Sequence, residues 1–264
     1  MSAIEVQHLV KRYRGADAYA VDDVSFDAAE GQLFCLLGPN GAGKTTTISI
    51  LTTTLMLTSG RVRVAGIDVT TDPKGVRREI GIVFQGSSLD VNLTGEENVR
   101  LHAVLYGLYP WRPSYRLMSS GYRRTVDELA HVLGVGEHMS RPVRHLSGGT
   151  RRKLEILRAL LHQPRVLFLD EPTTGLDPET RRNVWEYLRL AREQQGTTVF
   201  LTTHYLEEAE DAHRICIMAG GRIIGLGSPD ELKRRQFGCN ASGPPAAQPT
   251  LEDTYLRLLA RADQ

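Results

Sequence analysis

Apolar residues in the first 90 positions recur at the spacings typical of β-strands. Two alternating segments open the chain, and a continuous apolar run at residues 33–37 predicts a strand buried on both faces. Further strands are predicted at residues 61–69 and 80–84, and a helix at residues 45–55, after a glycine-rich loop. Ile4, Val6 and His8 are expected to share one side of the first strand, and Val21, Val24 and Phe26 continue in a second apolar stretch that predicts the next strand.

The pattern changes at about residue 94, where apolar residues take helical spacing. Residues 109–120 interrupt the helical region with two prolines, two tyrosines and a tryptophan, and are predicted to form a loop, either a surface insertion without chemistry or a recognition element. Later strands are predicted at residues 166–169, 199–201, 215–218 and 222–226, and helices at residues 99–105, 126–133, 151–161, 179–192, 229–235 and 251–259. Strands alternating with helices around a buried sheet predict an α/β fold.

The composition is that of an ordinary globular protein. The chain has 264 residues, 41% of them apolar and 24% charged, and these fractions exclude a wholly disordered chain. The length fits one large domain, or one domain with a subdomain. The 32 basic and 31 acidic residues leave a formal net charge of +1, so the charge gives no reason to expect a nucleic-acid partner.

Cysteine content and hydropathy indicate the compartment in which the protein works. Cys35, Cys216 and Cys239 are an odd number of cysteines in a long chain, and we expect buried, reduced thiols. No apolar run reaches the roughly 18–20 residues that a transmembrane helix needs, and the first residues lack the basic-then-apolar pattern of a signal peptide. We therefore expect a soluble, cytosolic chain whose membrane role, if it has one, depends on a partner.

Residues 38–45, here called the phosphate loop, match the pattern G-x-x-x-x-G-K-[ST] between an apolar strand and a helical segment. The glycines allow backbone N–H groups to turn inward and form an anion-binding nest at a helix N-terminus. Lys44 is expected to reach the β- and γ-phosphates of a nucleotide, Thr45 to bind Mg²⁺ and Thr46 to donate to a phosphate. The predicted nucleotide-binding residues here are Gly38, Pro39, Asn40, Gly41, Ala42, Gly43, Lys44, Thr45 and Thr46.

Asp170 and Glu171 directly follow the apolar run at residues 166–169. At the end of a strand beside the phosphate loop, Asp170 would hold Mg²⁺ through water and Glu171 would polarise an attacking water. Two adjacent acids after a strand are also common turn residues, but the phosphate loop in the same chain favours the catalytic interpretation.

A second glycine-rich helix start lies at residues 146–150, with the sequence Leu-Ser-Gly-Gly-Thr. Ser147, Gly148 and Gly149 offer a hydroxyl and free backbone N–H groups to a phosphate. Because one chain has no need of two such devices for one nucleotide, we expect this segment to close over the γ-phosphate held by another copy.

These motifs, in this order and over nearly the whole chain, resemble those of the ATP-binding subunits of ABC transporters. Residues 38–45 are similar to the Walker A loop, residues 166–170 to the Walker B strand, and residues 146–150, here called the signature loop, to the LSGGQ signature with threonine in place of glutamine. Four further residues, each with an ordinary structural explanation when taken alone, match motifs of the family. They are Gln85 as the Q-loop glutamine that contacts Mg²⁺ and the attacking water, Asp177 as the D-loop aspartate that works across a dimer interface, His204 as the switch histidine at the γ-phosphate, and Tyr13 as the aromatic residue that stacks on adenine.

The resemblance implies a P-loop ATPase with a RecA-like core, an antiparallel β-subdomain and a helical subdomain at about residues 94–161. The ATPase domain would span residues 1–237, followed by a linker at residues 238–249 and a helical tail at residues 250–264. The implied ligands are ATP and Mg²⁺, the ion being held by Thr45, Gln85 and Asp170. The residues that would carry hydrolysis are Glu171, His204, Gln85 and Lys44.

The same resemblance implies partners and a location. A second ATP-binding subunit would complete a homodimer, and separate transmembrane permease subunits would keep the protein at the cytoplasmic face of the membrane. Residues 89–98, 151–156 and 249–256 resemble subunits of ABC-2-type exporters, in the daunorubicin-resistance and nodulation-exporter group. Two alternatives stay open, an importer ATPase and a soluble ABC ATPase that works without a permease.

Overall fold

The computed structural model describes residues 2–238 and 249–262. These fall into two compact units, one from residues 2–79, 198–238 and 249–262 and the other from residues 80–197. Up to residue 79 the elements are β1 (Ser2–Lys11), β2 (Val21–Ala29), β3 (Leu33–Leu37), α1 (Lys44–Leu51), β4 (Ser59–Val64), β5 (Ile67–Asp68) and α2 (Pro73–Glu79). The second unit contains β6 (Ile80–Val83), α3 (Gly95–Leu105), α4 (Ser120–Val132), α5 (Gly148–Leu160), β7 (Val166–Asp170) and α6 (Pro178–Gln195). The chain returns to the first unit with β8 (Thr198–Thr203), α7 (Leu206–Glu210), β9 (Arg214–Ala219), β10 (Arg222–Gly227), α8 (Pro229–Phe237) and α9 (Leu251–Ala262).

The first unit contains an antiparallel sheet and a mixed sheet. The antiparallel sheet has the order β2-β1-β4-β5. In the mixed sheet β3 runs parallel to β8 on one side and to β9 on the other, and β10 pairs antiparallel with β9. The stacked rings of Phe26, Phe34 and Phe200 connect the two sheets, with centroids 5.0 Å apart for Phe26 and Phe34 and 5.2 Å apart for Phe34 and Phe200. This buried core fixes β3, the strand that leads into the phosphate loop.

In the second unit β6 and β7 pair in parallel, with Val83 opposite Leu169. Their carboxyl ends therefore lie side by side, the edge at which α/β sheets place their functional groups. Local sequence specifies where the helices of this unit begin. Thr94 and Glu97 form a capping box at the start of α3, and the side chains of Ser119, Ser147 and Asp177 cap α4, α5 and α6.

The predicted α/β class is confirmed, and so is the predicted strand at residues 33–37. The predicted helix at residues 45–55 is wrong at its end, because α1 stops at Leu51. There the Thr52 hydroxyl donates to the carbonyl of Ile48 at 2.8 Å, and Thr53 adopts a φ of 61°, which leaves the helical region. The helices α2 and α7 were not predicted.

The prediction that His8 shares one side of the strand with Ile4 and Val6 is also wrong. Ile4 and Val6 are buried, but His8 is exposed. A register shift in β1 between Val6 and Leu9 changes the alternation, so that Leu9 takes the buried side instead. A single extra residue in a strand thus reverses which side chains face the core.

The C-terminal helix α9 packs on its own unit. The backbone N–H of Leu251 donates to Glu210 Oε1 at 3.2 Å, and the Arg257 guanidinium lies 4.9 Å from the centroid of the Phe237 ring.

Cys35 and Cys216 are buried free thiols, whereas Cys239 and most of the predicted linker lie outside the described residues. In residues 2–238 and 249–262, no helix combines the length and the apolar character needed to cross a membrane.

Candidate functional site

The phosphate loop joins β3 to α1 in the first unit. Two of its glycines are required by the approach of neighbouring backbone. A Cβ atom on Gly43 would lie 2.4 Å from the carbonyl oxygen of Ala20, and one on Gly38 would lie 2.4 Å from that of Met218. Gly43, the residue before α1, also has a φ of +100°, which L-residues rarely adopt. The loop therefore keeps the glycine backbone that an anion-binding nest at a helix N-terminus needs.

Lys44 is the first residue of α1, and its side chain is held within the loop. Only 6% of the residue is exposed. Its Nζ donates to the carbonyl oxygens of Gly38 at 2.7 Å and Pro39 at 3.0 Å. The ammonium group is thus fixed beside the nest, at the place where a phosphate would add a negative charge. Thr45 follows on the exposed side of α1.

Tyr13 lies beside the first turn of α1. Its hydroxyl is 3.2 Å from the Thr46 hydroxyl, within hydrogen-bond distance. The tyrosine is 45% exposed, and the Nζ of Lys11 lies 5.4 Å from the ring centroid. The structure therefore brings Tyr13 next to the phosphate loop with part of its ring available for stacking on a base.

His204 directly follows β8, also in the first unit. Its exposed ring lies against the ring of Tyr205, with a centroid distance of 4.1 Å. The backbone at this point is held by Thr203, whose hydroxyl donates to Glu208 Oε2 at 2.6 Å and accepts from the N–H of Tyr205 at 3.0 Å. These contacts fix the backbone on both sides of His204, at the end of a buried strand.

In the second unit, Gln85 and Glu171 meet at the carboxyl ends of β6 and β7. Gln85 Nε2 donates to Glu171 Oε2 at 3.2 Å. The backbone of Glu171 has a φ of 47°, which is uncommon for a residue other than glycine. Asp170, the last residue of β7, is buried. The parallel pairing of the two strands thus places an amide and two carboxyl groups at one edge.

The signature loop begins α5. Ser147 accepts a hydrogen bond at its Oγ from the backbone N–H of Thr150 at 3.2 Å, which caps the helix. A Cβ atom on Gly149 would lie 3.2 Å from the Thr180 side chain, so the loop lies against the start of α6.

Asp177 caps that neighbouring helix. Its Oδ1 accepts from the backbone N–H of Thr180 at 2.9 Å. Hydrogen bonds from Thr180 hold the pKa of the Asp177 carboxyl below its usual range, so the group is ionised at neutral pH. A charged carboxylate therefore stands at the exposed start of α6.

The donor groups fit a nucleotide with Mg²⁺. In the part of the chain that the structure describes, no cluster of three or more histidine, cysteine, aspartate or glutamate residues is placed to hold a metal by itself. Mg²⁺ is usually bound by one or two protein groups together with phosphate oxygens and water. A hydroxyl, an amide and a carboxylate, as in Thr45, Gln85 and Asp170, are oxygen donors of that kind.

Within each unit the structure brings some of the predicted residues together. In the first unit Tyr13 lies beside the phosphate loop, and in the second Gln85 lies beside Glu171.

Two buried charged residues on α5, Arg152 and Glu155, were not predicted to have a role at the site. The signal available in the sequence was their three-residue spacing, which places both on one face of a helix.

Comparisons with known proteins give the same family over most of the chain. Residues 21–174 match the family model described as ABC transporter. The daunorubicin/doxorubicin resistance ATP-binding protein DrrA of Streptomyces peucetius is 44% identical over 88% of this chain and 67% of its own length. The Nod factor export ATP-binding protein I of Ralstonia nicotianae is 38% identical over 90% of this chain and 70% of its own length.

Solved structures agree with the sequence relatives. An ATP-binding subunit of an ABC transporter superposes with a TM-score of 0.83 at 29% identity, over 97% of this chain and 99% of the other. The dimeric structure of an ATP-binding cassette in a post-hydrolysis state, bound to ADP and Pi, has a TM-score of 0.75 at 27% identity, over 85% of this chain and 98% of the other.

Proposed function

This chain belongs to the ABC transporter family, and we propose that it is the ATP-binding and ATP-hydrolysing subunit of a membrane exporter. The observation that carries the ATPase assignment is the contact of Gln85 with Glu171 at the ends of two parallel strands, in a chain that also contains a phosphate loop. Relatives named for drug resistance and for Nod factor export favour export over import.

ATP binding would begin at the first unit. Tyr13 stacks on the adenine base, and its hydrogen bond to Thr46 keeps the ring close to the phosphates. The backbone N–H groups of residues 40–46 and the Lys44 ammonium group bind the β- and γ-phosphates. Lys44 then exchanges its contacts with the loop carbonyls for phosphate oxygens, which carry a full charge.

Hydrolysis would depend on Glu171. Its carboxylate orients a water and accepts a proton as the water oxygen attacks the γ-phosphorus in line with the leaving group. The bond from the γ-phosphorus to the β–γ bridging oxygen breaks, and ADP and inorganic phosphate form. Lys44 and His204 stabilise the negative charge on the phosphate oxygens, and Gln85 helps to hold the water.

Mg²⁺ would be held by Thr45, Gln85 and Asp170 together with phosphate oxygens. When bound, the ion neutralises charge on the β- and γ-phosphates. Asp170, which is buried at the end of β7, would hold the ion through a water molecule.

The working assembly would be a homodimer. Ser147 and the N–H groups of Gly148 and Gly149 bind the γ-phosphate of the nucleotide on the second copy, and Asp177 acts across the same interface. Closure on ATP and reopening after hydrolysis give two states that drive a transmembrane permease. The protein then works at the cytoplasmic face of the membrane, attached through that permease.

The test of this function is the variant Glu171→Gln, which keeps the shape of the side chain and removes the base. We expect ATP hydrolysis to fall by about 10²–10⁴-fold, with ATP affinity within about threefold of the wild type because the phosphate loop is unchanged. Glu179→Gln, an exposed residue in the first turn of α6, is the matched control. Hydrolysis by Glu171→Gln at the wild-type rate would exclude Glu171 as the base.

The importer and permease-independent alternatives are separated by purification from membranes. An exporter subunit co-purifies with a transmembrane permease, and candidate compounds stimulate ATP hydrolysis by the reconstituted complex. Recovery with ribosomes or DNA, and none with membranes, would favour an ATPase that works without a permease.

A further inference from the structure

Arg152, on the helix that begins at the signature loop, is a buried arginine whose hydrogen-bonding capacity is fully used. It is 8% exposed, and each of the five N–H donors of its guanidinium has an acceptor. Nε donates to the carbonyl of Pro172 at 2.9 Å, Nη1 to the carbonyl of Phe84 at 2.5 Å and to Glu155 Oε2 at 3.0 Å, and Nη2 to the carbonyls of Asp170 at 3.0 Å and Glu171 at 3.2 Å.

Gln85 lies in the segment of residues 84–88; Arg152 binds one end of this segment, at Phe84, and Glu155 binds the other, at Ser88. The Oε2 atom of Glu155 accepts from Arg152, and its Oε1 accepts from the backbone N–H of Ser88 at 2.9 Å. Glu155 is itself only 3% exposed. The two side chains of α5 therefore hold the five-residue segment 84–88 at both ends, with Gln85 next to the first of them.

The same guanidinium supports the unusual backbone at Glu171. A non-glycine residue in the left-handed region costs about 1–3 kcal/mol and persists only where its surroundings fix it. The Nη2 group of Arg152 binds the carbonyl oxygens of Asp170 and Glu171, one on either side of the strained residue's Cα atom. This support sets the direction in which the Glu171 side chain leaves the backbone.

We propose that Arg152 is a positioning residue for ATP hydrolysis. It fixes the backbones of residues 84–88 and 170–172 and so keeps the side chains of Gln85 and Glu171 within hydrogen-bond distance of each other. The inference rests on the proposed function of Glu171 and adds a residue that touches neither nucleotide nor water. Arg152 lies five residues after Ser147 on one continuous helix. A displacement of the signature loop would therefore be transmitted through α5 and Arg152 to Gln85 and Glu171.

Arginine is needed here because of its geometry. Burial lowers the pKa of the Arg152 guanidinium, and the hydrogen bond that it donates to the Glu155 carboxylate acts in the opposite direction. An arginine nevertheless stays charged in proteins. Lysine has three donors on one nitrogen and cannot span four carbonyl oxygens and a carboxylate. Methionine retains the unbranched apolar stem, about as far as the position of Nε, and removes every donor.

The test compares Arg152→Met and Arg152→Lys with Arg100→Met. Arg100 is a matched control, since it is 9% exposed, pairs with Glu96 at 2.8 Å and binds the carbonyl of Arg112 at 2.6 Å, on a helix that carries no predicted site residue. For each variant kcat, ATP affinity and Tm are measured, with kcat taken at a temperature at which all variants are folded.

We expect Arg152→Met to lower kcat by about 10–100-fold, as loss of positioning by about 1 Å does, while ATP affinity changes by less than about threefold because the phosphate loop is untouched. Arg152→Lys is expected to recover less than about a fifth of the wild-type kcat. Arg100→Met is expected to lower Tm comparably and to keep the wild-type kcat. Adding Gln85→Ala to Arg152→Met is expected to cost less than it does in the wild type, because both changes act on one contact.

A wild-type kcat in a folded Arg152→Met or Arg152→Lys protein would overturn the proposal. So would an equal loss of kcat in Arg100→Met, which would make the effect one of stability alone. Should Arg152→Met not fold, the lysine variant decides by the same criterion. Absence of hydrolysis in the wild type, by contrast, would contradict the proposed function and not the positioning role specifically.

Discussion

The phosphate loop and the signature loop are both glycine-rich helix starts, but their glycines serve different purposes. In the phosphate loop, Gly43 has a φ of +100° and a backbone carbonyl where a Cβ atom would lie. In the signature loop, Gly148 has an ordinary φ. Apart from its chain neighbours and the nearby backbone of its own helix, no atom of the described residues lies within 4 Å of the position of its Cβ. The phosphate loop also has no capping side chain, whereas Ser147 caps α5.

The difference separates what the chain needs for its own fold from what it offers to another molecule. Gly43 is required by the chain itself, since no other residue fits its backbone. Gly148 is not required in this way, because an alanine would fit both its conformation and the space around it. A glycine that the fold does not need is consistent with close approach of a second molecule, which in the proposed dimer is the nucleotide on the other copy.

The largest effect is expected for Gly43→Ala. The added methyl group meets the carbonyl of Ala20 and the residue must keep a φ that alanine rarely adopts, so we expect a loss of about 2–4 kcal/mol in the free energy of unfolding. Displacement of the loop should weaken ATP binding by at least about 30-fold, the equivalent of about 2 kcal/mol. Thermal unfolding and ATP titration measure the two effects. An unchanged Tm together with unchanged ATP affinity would show that the loop backbone does not need this glycine.

A smaller and more selective effect is expected for Gly148→Ala. Alanine at the first position of α5 favours the helix by up to about 1 kcal/mol relative to glycine, so Tm should be unchanged or slightly higher. ATP affinity should also be unchanged, because the phosphate loop is intact. The rate of hydrolysis should fall by about tenfold or more if the methyl group blocks the nucleotide of the partner copy.

Mixing variants tests whether that loss arises between two chains. A hybrid dimer of Gly148→Ala with Lys44→Ala contains one site with an intact phosphate loop and an intact signature loop. We therefore expect the mixture to hydrolyse ATP faster than either variant alone. No gain on mixing, or a full loss of ATP binding in Gly148→Ala, would contradict the shared site.

The contrast also shows what a sequence can reveal about this fold. The strand at residues 33–37 could be predicted because all five residues are apolar and buried. The end of α1 and the inward face of β1 could not, since they depend on the hydroxyl of Thr52 and on a one-residue register shift before Leu9. Local hydrogen bonds of this kind change an element without changing its hydrophobic pattern.

At the site, the residues that belong to short sequence motifs could be predicted from the sequence. The residues that act through tertiary contacts could not. The glycine and lysine pattern of residues 38–45 has a local physical meaning, so the loop was predicted as a unit. The three-residue spacing of Arg152 and Glu155 did not indicate that either is buried, because charged residues on a helix are usually exposed. The role of Arg152 depends on carbonyl groups from residues 84 and 170–172, which only the fold brings together.

The smallest effect is expected at Thr150, where this chain departs from the glutamine of the family signature. The contact that caps α5 uses the backbone N–H of Thr150, 3.2 Å from Ser147 Oγ, and does not depend on the side chain. Thr150→Gln should therefore change kcat by less than about threefold, and its side chain can reach back to the N–H of Ser147 in a capping box. The gain of a few tenths of a kcal/mol should raise Tm by no more than about 2 °C. Thr150→Ala, which loses only the 2.9 Å contact between the Thr150 and Ser147 hydroxyls, is the control. A tenfold change in kcat for either variant would show that the side chain at position 150, and not the backbone of the signature loop alone, determines the rate of hydrolysis.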